Sequence, residues 1–247
     1  MKINNFFISA LLALLLAPAA AWSAGAEVKL DKAPIDLEDG LSLQRGARLF
    51  VNYCLNCHSA AYMRYNRLTD LGLSQEEIEK YLIFTGAKVG STMTVAMNVD
   101  DAKQWFGAAP PDLTVIARSR GPDWLYTYLR TFYRDDSRAL GWNNLAFPQV
   151  GMPHALWELQ GVQVLKEEEV ESHGEKRVVK RLVLAEPGKL SKTEYDAAVA
   201  DLVNYLVYMG EPARLKRIQI GIVVLLFLAV LFVLTYLLKK EFWKDVH

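Results

Sequence analysis

The sequence contains two cysteines, Cys54 and Cys57, and the second is followed directly by His58. Two thiols and an imidazole at this spacing could bind a metal ion, form a redox-active dithiol or attach a haem. A structural zinc site needs four ligands, usually from a second Cys/His pair, and the chain has no further cysteine. A thioredoxin-like dithiol would open a helix after a strand, whereas the pattern here predicts a helix before the cysteines. The zinc and dithiol interpretations are therefore disfavoured.

The order Cys-x-x-Cys-His is the attachment signature of c-type haem. Two thioether bonds at this spacing clamp two vinyl positions on one edge of the porphyrin, and the adjacent imidazole is thereby held under the iron. The sequence predicts haem c covalently bound through Cys54 and Cys57, with His58 as an iron ligand. Attachment of haem c in bacteria also requires export, which other parts of the chain must direct.

A sixth iron ligand must come from elsewhere in the chain, and methionine is the type that raises the reduction potential and suits electron transfer. Met152 lies in a Gly-Met-Pro sequence, and this rigid loop would hold its side chain at a fixed point. Met63 follows His58 too closely to reach the opposite face, and Met209 falls in an amphipathic helix where core packing is expected. The candidates left open beside Met152 are Met93, Met97, His154 and His173.

Hydrophobic segments lie near both ends of the chain. Residues 1–24 have a basic start, a short apolar core and small residues at the end, which is typical of a signal peptide cleaved after residue 24 or 26. Residues 216–238 include an uncharged apolar run long enough for a helix of about 30 Å, the thickness of a bilayer core. The pattern predicts an exported domain over residues 27–212, a transmembrane anchor and a cytoplasmic tail over residues 239–247.

Regular elements must position the candidate site residues. Apolar residues ahead of the cysteines recur at helical spacing, so a helix should run into the motif. Ser74 and Ser191 are each followed three residues later by Glu, a capping box that begins a helix. Residues 157–184 alternate β-branched side chains around a polar centre and predict a small β-hairpin, whereas residues 86–113 predict mostly loop. The predicted fold class is therefore mainly α.

The charge is unevenly distributed along the chain. The total is balanced, with 28 Lys and Arg against 28 Asp and Glu. Because the C-terminal residues 213–247 are rich in Lys and Arg, the predicted exported domain is acidic. An acidic surface attracts a basic soluble partner and repels nucleic acid, so we expect no nucleic-acid partner.

Longer stretches of the chain resemble a known family. Beside CLNCH at residues 54–58, they are WFGAAPPDLTVIARSRG at 105–121 and FPQVGMPHALWELQG at 147–161, with a single C-terminal apolar segment and a basic tail. Together these features resemble the cytochrome c1 family, the haem c subunits of ubiquinol–cytochrome c oxidoreductase (bc1) complexes. The resemblance covers essentially the whole chain and implies a class I cytochrome c-like haem domain with inserted loops.

The resemblance also implies roles for individual residues. Met152 would be the sixth iron ligand, opposite His58. Pro111 would pack beside the haem on the histidine side, and Arg120 would pair with a haem propionate, for which a guanidinium is suited. Trp124 falls within one residue of the position where the family has an aromatic group bonded to a propionate.

The function implied by the resemblance is electron transfer. The chain would accept one electron from a Rieske iron–sulfur protein and pass it to a soluble cytochrome c, beside cytochrome b in a dimeric complex of the bacterial inner membrane. The haem domain would lie on the periplasmic side, and the single C-terminal span would anchor the chain in membrane lipid. One alternative is a free-standing, membrane-anchored cytochrome c that feeds an oxidase. Another is a ligand-binding haem protein with an open sixth position.

Overall fold

The structure is a computed structural model that describes residues 28–172 and 175–245. The predicted signal peptide, His173 and the end of the predicted tail lie outside the described residues. The helices are α1 (Gly40–Leu49), α2 (Gln75–Leu82), α3 (Val99–Phe106), α4 (Ile116–Arg120), α5 (Pro122–Arg130), α6 (Trp157–Gln160), α7 (Lys192–Gly210) and α8 (Arg214–Phe242). A π-helical turn follows α1 at Phe50–Cys54, and a 3-10 helix covers Tyr65–Leu71. The strands are β1 (Ala60–Arg64), β2 (Thr92–Met93), β3 (Phe132–Arg134), β4 (Trp142–Asn144), β5 (Gly161–Ser172) and β6 (Glu175–Pro187).

Helix α1 leads into the cysteine motif, as predicted. Its first turn is capped by Asp39, whose carboxylate accepts a hydrogen bond from the N–H of Ser42 at 2.9 Å. The helix then widens, and the N–H of Leu55 donates to the carbonyl of Phe50 at 2.9 Å, a π-type bond. This wider turn ends at Cys54, so the first thiol of the motif stands at the end of the helix.

Helix α7 is the main support of the core. Ser191 and Glu194 form the predicted capping box at its start, and Tyr205, fully buried, packs against Phe50 at 5.6 Å between ring centroids. Helices α1 and α7 cross so closely that a Cβ at Gly46 would collide with the backbone of Asp201. A larger residue at this crossing would therefore push α1, and the motif behind it, away from the core.

Helix α5 is fastened to α7 by polar contacts. The guanidinium of Arg130 donates to Asp196 at 2.6 Å and to Asp31 at 2.7 Å, and it lies over the Tyr126 ring. The hydroxyl of Tyr195 donates to the carbonyl of Leu129 at 2.8 Å. Helices α1, α5 and α7 therefore form one packed support.

The strand elements lie beside this helical support. Strands β5 and β6 pair antiparallel in the four-stranded order β4-β3-β5-β6, and β3 pairs parallel with β5 through Arg134 and Val164. The predicted hairpin is confirmed, but it begins at Gly161, because residues 157–160 form the short helix α6. It is also longer than predicted, since β6 continues to Pro187.

The loop over residues 86–113 and the C-terminal helix also follow the predicted pattern in part. Residues 86–113 are largely loop, but they contain strand β2 and helix α3, which Asn98 caps through the N–H of Asp100 at 2.7 Å. Helix α8 is long and apolar enough to cross a membrane. The mainly α fold with one long apolar C-terminal helix is confirmed.

Candidate haem-binding site

A cavity of about 370 Å³ lies between the cysteine motif, the proline-rich loop before α4, helix α5 and the loop that contains Met152. Its wall is mainly apolar, and its volume falls in the range of pockets that hold cofactors. All site residues predicted from the sequence line this one cavity: Cys54, Cys57, His58, Pro111, Arg120, Trp124 and Met152.

The imidazole of His58 is held in one orientation. Its Nδ1 lies 2.8 Å from the carbonyl oxygen of Pro111, which can only accept, so Nδ1 carries the proton. Burial lowers the pKa of His58, against the opposing effects of this hydrogen bond and of the Asp112 charge. The neutral ring therefore keeps a lone pair on Nε2, the arrangement that metal-ligating histidines use.

The Pro111 carbonyl is itself held in place by the loop around it. Asp112 accepts hydrogen bonds from the N–H groups of Ala61 at 2.7 Å and Thr114 at 2.8 Å. The N–H of Leu113 donates to the carbonyl of Ser59 at 2.8 Å. The proline-rich loop is thus bonded to the residues directly after His58, which explains how residues distant in sequence orient one ring.

The two thiols lie on the same side of the cavity as His58. The N–H groups of Cys57 and His58 donate to the carbonyl of Cys54 at 3.1 and 2.9 Å, and this turn brings the three side chains to one wall. Both cysteines are free, and burial raises the pKa of the Cys54 thiol to about 12. In the part of the chain that the structure describes, no group of three or more His, Cys, Asp or Glu side chains could hold a metal ion.

Met152 lies across the cavity in a loop that Asn144 fixes. The Asn144 side chain is 1% exposed, and its Nδ2 donates to the carbonyl of Tyr128 at 2.7 Å. Its Oδ1 accepts from the N–H groups of Ala146 at 2.8 Å and Phe147 at 3.1 Å. One buried amide therefore joins helix α5 to the first turn of the loop.

A second asparagine fixes the middle of the same loop. The Oδ1 of Asn143 accepts from the N–H of Gln149 at 2.9 Å, and its Nδ2 donates to Asp135 at 2.8 Å. Gln149 has a φ of 62°, a left-handed conformation that is uncommon for a residue other than glycine. These bonds hold the turn that directs the chain toward Met152.

The other candidate sixth ligands lie elsewhere. Met63, Met93 and Met209 are buried in the core, and Met97 is half-buried, none of them on the cavity wall. His154 is also buried outside the cavity, stacked on the Phe132 ring at 4.8 Å, and burial lowers its pKa to about 4. Of the methionines and histidines that the structure describes, His58 and Met152 line the cavity.

Aromatic and cationic groups meet on one part of the cavity wall. The Arg120 guanidinium lies 5.1 Å from the Trp124 ring centroid and 5.8 Å from that of Phe147. Trp124 in turn stacks on Tyr128 at 4.8 Å with an interplanar angle of 10°. The two residues that the family resemblance assigned to a propionate are therefore in contact with each other at the cavity.

Several residues that support the site were not predicted from the sequence. The hydroxyl of Tyr128, on the cavity wall, donates to the Met152 sulfur at 3.4 Å, and Asn143 and Asn144 support the loop from outside the cavity. The asparagine pair before the Gly/Pro-rich stretch was a possible signal, since Asn side chains often bond to the backbone of a turn. The spacing of Tyr128 gave no signal, because a helical aromatic residue is usually core.

The donor set fits a haem c. A neutral imidazole and a thioether are typical axial ligands of haem iron in electron carriers. Two free thiols adjoin the imidazole, and the enclosing wall is apolar. A guanidinium at the same cavity matches the carboxylates that a haem carries.

Comparisons with known proteins agree with this chemistry. The sequence model of the family described as "Cytochrome C1 family" matches residues 32–246 of the chain. The chain is 57% identical over 237 residues to the protein named ammonia monooxygenase gamma subunit of Nitrosomonas europaea, covering 96% of this chain and 97% of that protein. It is 54% identical over 235 residues to cytochrome c1 of Allochromatium vinosum, covering 95% and 96%. It is 27% identical to cytochrome c1 of Rhodospirillum rubrum, covering 84% and 83%. The cavity chemistry and these similarities lead to one conclusion: the chain belongs to the cytochrome c1 family.

Proposed function

We propose that this chain is the haem c subunit of a bc1 complex, which accepts one electron from a Rieske iron–sulfur protein and passes it to a soluble cytochrome c. Membership of the family makes it a haem c electron carrier. The observation that carries the proposed ligation is that His58, Met152 and two free thiols line one apolar cavity.

The chain's own residues hold the cofactor in this proposal. Cys54 and Cys57 would form the thioether bonds, while His58 and Met152 would supply the two side-chain ligands to the iron. When bound, the haem iron supplies one-electron redox chemistry. The Pro111 carbonyl keeps the His58 ring in the tautomer that leaves Nε2 free to bind. The apolar wall excludes water, which strengthens each electrostatic contact inside.

Arg120 and Trp124 bind the haem propionates in this proposal. Arg120 stands over the Trp124 ring, a stacked position that limits the movement of a long side chain. A guanidinium fixed in this way can form two parallel hydrogen bonds to a carboxylate. Free propionate carboxylates would stabilise the more positive, oxidised haem. The positive charge of Arg120 would offset part of this stabilisation, so Arg120 would keep the reduction potential higher.

The position in the membrane follows from the predicted organisation. The N-terminal signal peptide directs export and is removed after residue 24 or 26, residues 27–212 form the periplasmic haem domain, and residues 216–238 anchor it among lipids and against cytochrome b. Residues 239–247 form the cytoplasmic tail. The long apolar helix α8 supports this arrangement, since it is long enough to span a bilayer. The acidic domain would steer a basic soluble partner toward the haem.

Two other assemblies would use the same haem domain. One is a free-standing anchored cytochrome that feeds an oxidase. The other is suggested by the name of the Nitrosomonas europaea relative, ammonia monooxygenase gamma subunit. The cavity residues are compatible with electron transfer in each case, so the partner chains distinguish them.

The experiment is purification of the affinity-tagged chain from detergent-solubilised native membranes, with identification of every co-purifying subunit. We expect cytochrome b and a Rieske protein in stoichiometric amounts, and quinol-dependent reduction of soluble cytochrome c. The untagged strain provides the matched control. Recovery with monooxygenase subunits, or with no partner at all, would contradict the bc1 proposal while leaving the haem carrier intact.

A further inference from the structure

Tyr128 on helix α5 makes a polar contact with the proposed sixth ligand. Its side chain is buried and lines the cavity, and its hydroxyl donates to the Met152 sulfur at 3.4 Å. A phenol hydroxyl can donate a hydrogen bond, whereas a thioether sulfur can only accept one, so the hydroxyl is the donor in this contact.

The ring of Tyr128 has little freedom to move. It stacks on Trp124 at 4.8 Å and meets the edge of Phe132 at 5.0 Å and 67°. The backbone carbonyl of the same residue accepts from Asn144, which fixes the start of the Met152 loop. Tyr128 thus controls the loop through its backbone and the sulfur through its hydroxyl.

A thioether sulfur has two lone pairs, and it is a weak hydrogen-bond acceptor. A hydroxyl that occupies one lone pair leaves the other available to bind a metal. It also draws electron density from the sulfur, which makes the thioether a poorer donor to a metal. Weaker donation from the ligand removes more stabilisation from the oxidised iron than from the reduced iron. The reduction potential therefore rises.

We propose that Tyr128 is a positioning residue for Met152, which orients the thioether toward the iron and raises the reduction potential through its hydroxyl-to-sulfur hydrogen bond. This inference rests on the proposed ligation by Met152. It assigns to Tyr128 a role that ring packing alone does not provide, because the hydroxyl rather than the ring makes the contact.

The test uses the full-length chain with its haem, in the purified complex. Tyr128→Phe removes the hydroxyl and keeps the ring, and Tyr126→Phe is the matched control, since Tyr126 lies on the same helix against Arg130 and outside the cavity. The readouts are the midpoint potential from a redox titration and the weak near-infrared band of methionine ligation in the oxidised protein. We expect Tyr128→Phe to lower the potential and shift the band, and Tyr126→Phe to change neither.

Replacement of Tyr128 by 3-fluorotyrosine provides a second variant. It keeps the ring and the hydroxyl but makes the hydroxyl a stronger donor, so the potential should shift upward, opposite to Tyr128→Phe. If the role of Tyr128 were purely structural, the two variants would not shift the midpoint potential in opposite directions. Unchanged potentials in both variants would overturn the role of Tyr128, and so would an unchanged potential in the fluorinated protein if Tyr128→Phe failed to assemble. A wild-type protein without the near-infrared band would instead contradict ligation by Met152.

Discussion

The two walls of the cavity are built in different ways. On the histidine wall, both thiols and the imidazole come from residues 54–58, and one helical turn brings them together. On the methionine wall, Met152 is presented by a loop whose shape depends on Asn143 and Asn144 and on a hydroxyl from helix α5. The first wall is local in sequence, and the second depends on tertiary contacts.

Loss of contacts should therefore affect the cofactor differently at the two walls. The histidine wall would hold the cofactor by covalent bonds, so loss of a single weak contact there should not release it. The methionine wall would contribute one axial bond from a neutral thioether, supported by hydrogen bonds of about 1 kcal/mol each. Damage to the first wall should therefore remove the cofactor, whereas damage to the second should retain it with altered ligation.

The largest effect is expected on the histidine wall. Replacing both cysteines, Cys54→Ser with Cys57→Ser, removes the sulfur atoms needed for thioether bonds, so covalent haem should be lost completely. The measurement is haem-stain intensity on a denaturing gel, normalised to chain abundance. The exposed residue Asn56 lies between the cysteines, and Asn56→Ser should keep full intensity. Haem that stayed on the double variant would rule out attachment through these residues.

The next effect is expected on the methionine wall. Met152→Leu keeps the apolar volume but removes the thioether, so the chain should retain covalent haem while its near-infrared band disappears and its potential falls. Met97→Leu is the matched control, because Met97 is a half-buried loop residue outside the cavity. A variant pair in which Met97→Leu, rather than Met152→Leu, lost the band would reassign the ligand.

The same difference explains which parts of the molecule could be predicted from the sequence. The Cys54–His58 motif needs only its own spacing, and the capping boxes at Ser74 and Ser191 are local hydrogen-bond patterns that the structure contains. Arg120 and Trp124 were identified through family resemblance, whereas Met152 was already favoured by its Gly-Met-Pro loop before the resemblance selected it. All three line the cavity. Spacing alone would not have selected Arg120 and Trp124.

The elements that escaped prediction depend on contacts distant in sequence. Asn144 supports the Met152 loop only because the carbonyl of Tyr128 lies 2.7 Å from its amide nitrogen. Helix α3 forms inside a Gly- and Pro-rich stretch because Asn98 caps its first turn. The parallel pairing of β3 with β5 rests on the single register pair Arg134 and Val164. Patterns over neighbouring residues do not indicate which distant residue will be the contact partner.

A smaller effect, on stability, is expected from Asn144→Ala. This change leaves the buried Tyr128 carbonyl and the N–H of Ala146 without their partner, and each unsatisfied group costs roughly 1–3 kcal/mol. We expect the free energy of unfolding in detergent to fall by about 3 kcal/mol, measured by chemical denaturation. Covalent haem should stay, while the near-infrared band should disappear at lower denaturant concentration than helical circular dichroism. Simultaneous loss of both signals would argue that the methionine wall is not a separate unit.

The smallest effect is expected from Ser191→Ala, at the start of the helix that supports the histidine wall. The hydroxyl of Ser191 accepts from the N–H of Glu194, and an N-cap of this kind contributes about 1 kcal/mol to the free energy of unfolding. Hydrogen bonds from Ser191 lower the pKa of Glu194, so the carboxylate's contribution is present above the usual Glu pKa and is lost as pH falls through the lowered value. The difference in the free energy of unfolding between wild type and Ser191→Ala should therefore become smaller as the pH falls.

Ser74→Ala is the matched control. It removes the same kind of capping box from the peripheral helix α2 and should show the same pH trend. Because neither cap touches the Met152 loop, both variants should keep the near-infrared band, and its loss in Ser191→Ala would show that the two walls are coupled through α7.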